Sequence, residues 1–272
     1  CSLVGSEMCI RDSFNKGRVF INFGAVDQIA TVFINGNNVA THKGGYTSFK
    51  FEITDYVADG ENEIKVSCLD FSDVNAFSRG KQKTKRGGIW YTCQSGIWQS
   101  VWLESTPKQY LEKVKITPNY DESSVSFKYF GCDDVEVSIY DGDSLIAKTK
   151  DTTVSIPDFK SWSPESPFLY DVVFSACGEE IKSYFGMRKF SVGNDGKGVK
   201  RLFLNNKPYF HNGVLDQGYY PDGLLTPPAN DAMKFDVEYV KSAGFNMIRK
   251  HIKVEPLLWY HYCCLLYTSD AA

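Results

Sequence analysis

"NDAMKFDVEYVKSAGFNMIRKHIKVEP", residues 230–256, changes the rhythm of the chain. Asn230 can cap a helix, Met233, Val237 and Val240 recur at helical spacing, and Gly244 suits the left-handed position after the last turn. The apolar run Phe245, Met247, Ile248 then reads as a strand, and Glu255-Pro256 as the first turn of a second helix. Just upstream, "KRLFLNNKPYFHNGVLD" (200–216) reads as a hairpin that feeds a strand ending at Leu215-Asp216. A loop rich in Gly and Pro separates that strand from the helix. Strand, loop, helix, strand, helix is the opening of a βαβ repeat. About 70 residues carry it, against about 250 in a complete (β/α)8 barrel. The spacing predicts the opening two units of a βαβ repeat over residues 193–263, far short of a complete barrel.

Everything before residue 193 has a different period. "RVFINFGAV" (18–26) puts Val19, Ile21 and Phe23 on one face, and "IATVFINGNNVATH" (29–42) alternates around Asn35-Gly36. That dipeptide suits a two-residue hairpin, because both residues tolerate positive φ. "TSFKFEITDYV", "DGENEIKVSCLDF" and "GIWQSVWLES" add further strands, with the polar, basic loop "SRGKQKTKRGG" (78–88) before the last. Strands at this spacing, with no helical pattern between them, predict a β-sandwich over residues 14–106. Residues 107–192 repeat the theme with about seven short strands and an Asp141-Gly142 turn. That count suits an immunoglobulin-like sandwich without the inter-sheet cysteines of antibody domains. The fold class expected is mainly β, with βα units only at the end.

The composition sets outer bounds. Of the residues, 43% are hydrophobic, 23% charged and 15% aromatic, and the net charge is −3 with acids and bases interspersed. Such a surface offers no electrostatic footprint for nucleic acid or an anionic membrane. No apolar run approaches the roughly 20 residues of a membrane span, and no basic-then-apolar leader is visible. The compartment is left unassigned. The eight cysteines form no CxxC pair and no metal-ligand spacing with histidine, so they read as free thiols and no metal or cofactor is assigned. "CSLVGSEMCIRDS" (1–13) shows neither strand nor helix periodicity, and "CLLYTSDAA" (264–272) interrupts a helix scarcely begun. Both resemble translated adapter read-through from metagenomic reading frames. They are set outside the expected fold, which leaves a fragment running from about Phe14 to Cys263.

Six stretches in order carry a family resemblance: "ATVFINGNNVATHKGGYTSFKFEITD" (30–55), "SGIWQSVWLE" (95–104), "WSPESPFLYDV" (162–172), "FGMRKF" (185–190), "LFLNNKPYFHNGV" (202–214) and "AGFNMIRKH" (243–251). The chain resembles glycoside hydrolase family 2, the β-galactosidase, β-glucuronidase and β-mannosidase family. The resemblance implies a jelly-roll sugar-binding domain, an immunoglobulin-like domain and a TIM barrel, in that order. It also implies hydrolysis of β-glycosides with retention by two glutamates about 5–5.5 Å apart, one of them in an Asn-Glu pair on a late barrel strand. No Asn-Glu occurs in the barrel portion, and Asn62-Glu63 falls in a sandwich turn, so no catalytic residue is assigned here.

The resemblance and the C-terminal-end rule for barrel sites place Asp216 after the first barrel strand, and Arg249 and His251 after the second, as substrate-binding residues. Asp216 can accept sugar hydroxyls, and the planar fork of Arg249 can orient a neighbouring carboxylate. The family pattern Arg-x-Ser-His-Tyr-Pro differs here ("RKHIKVEP"), with His251 one position early. The partner implied is a glycoside, oligosaccharide or polysaccharide, and a complete parent enzyme can be a homo-oligomer. Two other readings stay open. In one, the two β-domains are a non-catalytic carbohydrate-binding or adhesion module; in the other, they only assemble an oligomer. Trp90, Trp98, Trp102 and Trp162 can stack on sugar rings or fill the core, and Gly44-Gly45-Tyr46 reads as a tight turn.

Overall fold

The computed structural model describes residues 2–10, 14, 16–74 and 76–266, the first nine by their backbone alone. It is mainly β, with two α-helices, α1 (Asn230–Ser242) and α2 (Leu257–Leu266). The chain divides into two compact units. The first holds Cys1–Lys108, Leu215–Phe235 and Arg249–Tyr260; the second holds Gln109–Val214, Asp236–Ile248 and His261–Ala272. Residues 193–263, expected as one opening barrel segment, are distributed over both.

The first unit is built on two antiparallel sheets. One takes the order Ser2–Ile10, Gly60–Leu69, Ile29–Ile34, Asn37–Lys43; the other takes Val101–Thr106, Arg18–Phe23, Phe49–Glu52. Val19, Ile21 and Phe23 from one sheet meet Ala30, Val32, Ile34, Val66 and Cys68 from the other in a closed apolar core. The alternating runs therefore produce a sandwich because each strand has one apolar face to hide. The Asn35-Gly36 hairpin forms as expected, with φ of 50° and 79° and Ile34 opposite Asn37.

Two expectations are corrected here. Ser2–Ile10, set outside the fold for want of periodicity, pairs along its length with Gly60–Leu69, from Ser2 opposite Cys68 to Ile10 opposite Gly60. Backbone pairing needs no side-chain period, which is why the pattern gave no sign of it. Residues 11–13 lie outside the described residues. Asn62-Glu63, expected in a turn, lies inside the strand Gly60–Leu69. Asn62 is buried there: its Oδ1 accepts from Ala58 N–H (2.8 Å) and Asn35 Nδ2 (2.9 Å), and its Nδ2 donates to Ala58 O (2.8 Å). Its work is to bind the strand's entry turn to the hairpin.

The second unit has sheets ordered Lys113–Asn119, Ser124–Phe130, Thr153–Ser155 and Ser144–Thr149, Val135–Asp141, Tyr170–Ala176, Glu179–Phe185. These seven strands enclose a core of Val125, Phe127, Val137, Ile139, Val172 and Phe174. Asp141-Gly142 turns as expected, with Asp141 opposite Ser144. A smaller sheet of Phe190–Asn194, Lys200–Leu204 and Lys207–Pro208 follows, its hairpin turned by Asn205 and Asn206 at φ 52° and 63°.

Helix α1 begins at Asn230 and stops where Gly244 adopts φ +86°, with Gly244 N–H donating to Lys241 O. It connects the strands Gly213–Asp216 and Met247–Lys250, which are hydrogen-bonded neighbours. Asn246 N–H donates to Asn212 O and His251 N–H to Asp216 O, so these strands advance together and run parallel. This is a βαβ unit. The second helix runs on to Leu266, past the Cys263 at which the fold was expected to stop, and residues 267–272 lie outside the described residues.

Candidate functional site

The C-terminal ends of the two parallel strands bring charge together inside the first unit. Asp216 ends one strand and Lys250 the other, with Lys250 Nζ 2.6 Å from Asp216 Oδ2. Asp216 Oδ1 accepts from Gly218 N–H at 2.7 Å. Both oxygens are thus held, while the carboxylate keeps 24% of its side-chain exposure and so retains lone pairs for hydroxyl donors.

Behind this pair is a second layer that the sequence reading missed. Glu255 Oε1 lies 2.6 Å from Lys250 Nζ and 3.1 Å from Lys253 Nζ, and the Glu255 side chain is 1% exposed. These are ionic contacts; neither Glu255 oxygen has a partner in directed hydrogen-bond geometry. Lys253 is fully enclosed: its ammonium donates to Leu225 O at 2.8 Å and to Gly218 O, beneath the rings of Trp98, Tyr219 and Tyr220. Burial pulls its pKa below the ordinary lysine value, and Glu255 opposes that pull. A cation in such a site is stable only with a compensating anion nearby. Lys250 also lies over the Trp259 ring at 4.6 Å, a cation–π contact. Gly218, at φ +62°, lets the chain pass close to the ion pair: a Cβ there would sit 2.0 Å from Glu255 Oε1 and push the carboxylate aside.

The segment 250–255 is therefore inside out. Ile252 and Val254 are 52% and 48% exposed, while Lys253 and Glu255 are 5% and 3% exposed. The clue available in "KHIKVEP" was its alternation; which face turned inward was not readable from it.

The three expected substrate-binding residues are placed differently from one another. Asp216 is part-exposed and pairs with Lys250, in front of the buried Lys253 and Glu255. Arg249 is exposed and alternates away from Lys250 along the strand. His251 is half-buried, and its backbone N–H, not its ring, bonds Asp216 O. Desolvation, and then the charges of Lys81 and Arg249, lower the His251 pKa below the ordinary imidazole value. At neutral pH its ring is therefore an uncharged donor and acceptor. Among the described residues no three His, Cys, Asp or Glu side chains converge to hold a metal.

A cavity of about 950 Å³ opens in the same unit, lined among others by Tyr46, Trp98, Gln99, Trp102, Asn230 and Glu255. Trp102 is 48% exposed there and Trp98 only 2%. Trp98 is a core residue whose Nε1 donates to Gly45 O at 2.7 Å. Gly45 approaches Asp27 so closely that a Cβ would meet Asp27 Oδ1 at 2.3 Å, which gives the Gly44-Gly45-Tyr46 turn its reason.

Asp27 itself is 2% exposed, and burial, reinforced by the charge of Asp70, raises its pKa to about 7. A carboxyl raised in the folded state binds its proton more tightly folded than unfolded. The stabilisation is complete below the unfolded value of 3.8 and is lost as pH rises through about 7. Every tenfold gain in proton affinity on folding corresponds to about 1.4 kcal/mol. Asp27 should therefore lower the urea midpoint as pH rises from 4 to 7.5, and the difference between the Asp27→Asn variant and the parent should change across that range. A difference that stays constant with pH would remove Asp27 as a source of the pH dependence.

Comparison with known proteins adds to this geometry. The family described as glycosyl hydrolases family 2, sugar binding domain, matches residues 6–107, and glycosyl hydrolases family 2 matches residues 113–188. A β-galactosidase of Streptococcus thermophilus is 23% identical over 93% of this chain and 26% of its own length. A β-glucuronidase of Bacteroides fragilis is 27% identical over 88% of this chain and 38% of its own. Among solved structures, a Ruminococcus gnavus β-glucuronidase superposes with a TM-score of 0.84 at 18% identity, covering 99% of this chain and 50% of that one. The chain thus spans about a quarter to two-fifths of the curated relatives it matches. With both of its β-sandwich regions matched by the family's own domains, in the family's order, the chain belongs to glycoside hydrolase family 2.

Proposed function

We propose that this chain is the N-terminal part of a retaining exo-β-glycosidase that removes terminal β-linked sugars in carbohydrate catabolism, with both catalytic glutamates outside it. In this reading the first sandwich is the jelly roll, the second is the immunoglobulin-like domain, and the βαβ unit opens a TIM barrel. The observation that carries it is the fixed, part-exposed Asp216 carboxylate at the C-terminal end of a parallel strand. That is where barrel enzymes gather substrate-binding groups. Asp216 accepts sugar hydroxyls, neutral His251 adds a donor and acceptor, and Arg249 orients a carboxylate supplied by later strands. The relatives include β-galactosidases and β-glucuronidases alike; a β-galactosidase-like specificity is our reading, with glucuronide as its direct competitor.

The chain by itself should turn over none of the nitrophenyl β-galactoside, β-glucuronide or β-mannoside substrates. It lacks the acid and the nucleophile that a retaining mechanism needs. Clear turnover of any of the three would overturn the placement of the catalytic glutamates outside the chain. A carbohydrate-binding role for the first sandwich finds support in the cavity beside Trp102, since a half-exposed indole can stack on a pyranose. Calorimetric titration with galactose and glucuronate, comparing the chain with its Trp102→Ala variant, tests that second reading.

A further inference from the structure

The second unit contains a pair of cysteines that neither the glycosidase reading nor the family assignment uses. Val135–Asp141 pairs antiparallel with Tyr170–Ala176, with Val135 opposite Ala176. Cys177 follows that register directly and Cys132 precedes it by three residues, so both lie at the same end of these two inner strands. The hairpin turn fixes Cys177 further: it sits at φ +53° with Gly178 at +79°, and Ala176 faces Glu179. Cys132 is 5% exposed within the core, Cys177 is half-buried at its rim, and their sulfurs are 2.6 Å apart. That is close to the bonded separation of about 2.05 Å, so the two sulfurs already face each other in contact.

We propose that Cys132 and Cys177 are a disulfide-forming pair, oxidised by a small-molecule disulfide such as glutathione disulfide. Cys177, the sulfur nearer solvent, loses its proton and attacks one glutathione sulfur. The S–S bond of the oxidant breaks, and the first glutathione leaves as a thiolate that takes up a proton. Deprotonated Cys132 then attacks the Cys177 sulfur of the mixed disulfide and expels the second glutathione. Two protein thiols are oxidised and one glutathione disulfide is reduced to two thiols. The new bond ties residues 45 apart in sequence, joining the 176–179 hairpin to the segment that crosses between the two sheets. The hydrogen bond shared with Cys132, then burial, and then the charges of Glu179 and Asp134 push the Cys177 thiol up to about 11. Oxidation is therefore slow at neutral pH and accelerates towards pH 9, as the thiolate fraction grows about tenfold per pH unit.

The test is to incubate the chain with glutathione disulfide at pH 8.5, block free thiols and digest with trypsin. The expected product is a cross-linked pair of peptides, residues 129–148 with 161–182, that separates on reduction. The oxidised protein should also melt about 10 °C or more above the reduced one, by the usual gain from closing a loop of this length. Cys177→Ser and Cys132→Ala should each abolish the cross-link. Recovery of both wild-type peptides unlinked, whether free or each carrying glutathione, would overturn the proposal.

Discussion

Replacing Glu255 with glutamine should destabilise the first unit by about 3–5 kcal/mol, the usual cost of stripping a buried cation of its counter-charge. Glu255 is the anion that Lys250 and Lys253 share, at 2.6 and 3.1 Å. Lys250 would keep Asp216, but Lys253, with no side-chain exposure, would be left with carbonyls and aromatic faces alone. The amide preserves shape, so the loss reports charge rather than packing. Urea denaturation of the variant measures it, and adding Lys253→Met should recover most of the loss, because removing both charges removes the desolvation cost as well. A single variant within about 1 kcal/mol of the parent would mean that the charge layer is not held together as described.

Trp162→Ala should cost the second unit a comparable amount, about 3–5 kcal/mol, as large aromatic truncations in closed cores do. Trp162 is 0% exposed, and its Nε1 donates to Cys264 O at 3.1 Å. The Arg188 guanidinium lies 4.5 Å over the ring, and a Cβ on Gly186 would come within 3.0 Å of the Trp162 side chain. The ring is therefore packed on both chemistry and shape, with little freedom for neighbours to close the void. Thermal unfolding followed by near-ultraviolet circular dichroism checks this. A loss below about 1 kcal/mol would show that the site collapses around alanine.

How far the fold was legible depended on whether side chains or backbone carried the signal. The hairpins at Asn35-Gly36 and Asp141-Gly142, and the helix from Asn230 to the Gly244 cap, followed from local chemistry that only a few residue types satisfy. Ser2–Ile10 escaped, because its pairing with Gly60–Leu69 is backbone hydrogen bonding that leaves no mark on the order of its side chains. The candidate site was half legible. The place of Asp216 at a strand end was readable from the sequence, whereas Lys253 and Glu255 were hidden because the alternation of their segment does not say which face turns inward. Nothing local in "KHIKVEP" says that its charged residues face inward; the carbonyls of Gly218 and Leu225, more than 25 residues earlier, decide it. The sulfur contact of Cys132 and Cys177 was equally hidden, since the strand register that creates it spans 45 residues.

We propose that this chain opens a retaining β-glycosidase, and a longer protein can test that. The most direct measurement uses a longer protein that carries the chain together with a complete barrel. Nitrophenyl β-galactoside and β-glucuronide are supplied in turn, and the anomer of the first sugar released is followed by proton NMR. We expect hydrolysis of one of them with the β-anomer appearing first, as double displacement requires. First release of the α-anomer, or hydrolysis of neither substrate, would contradict the account.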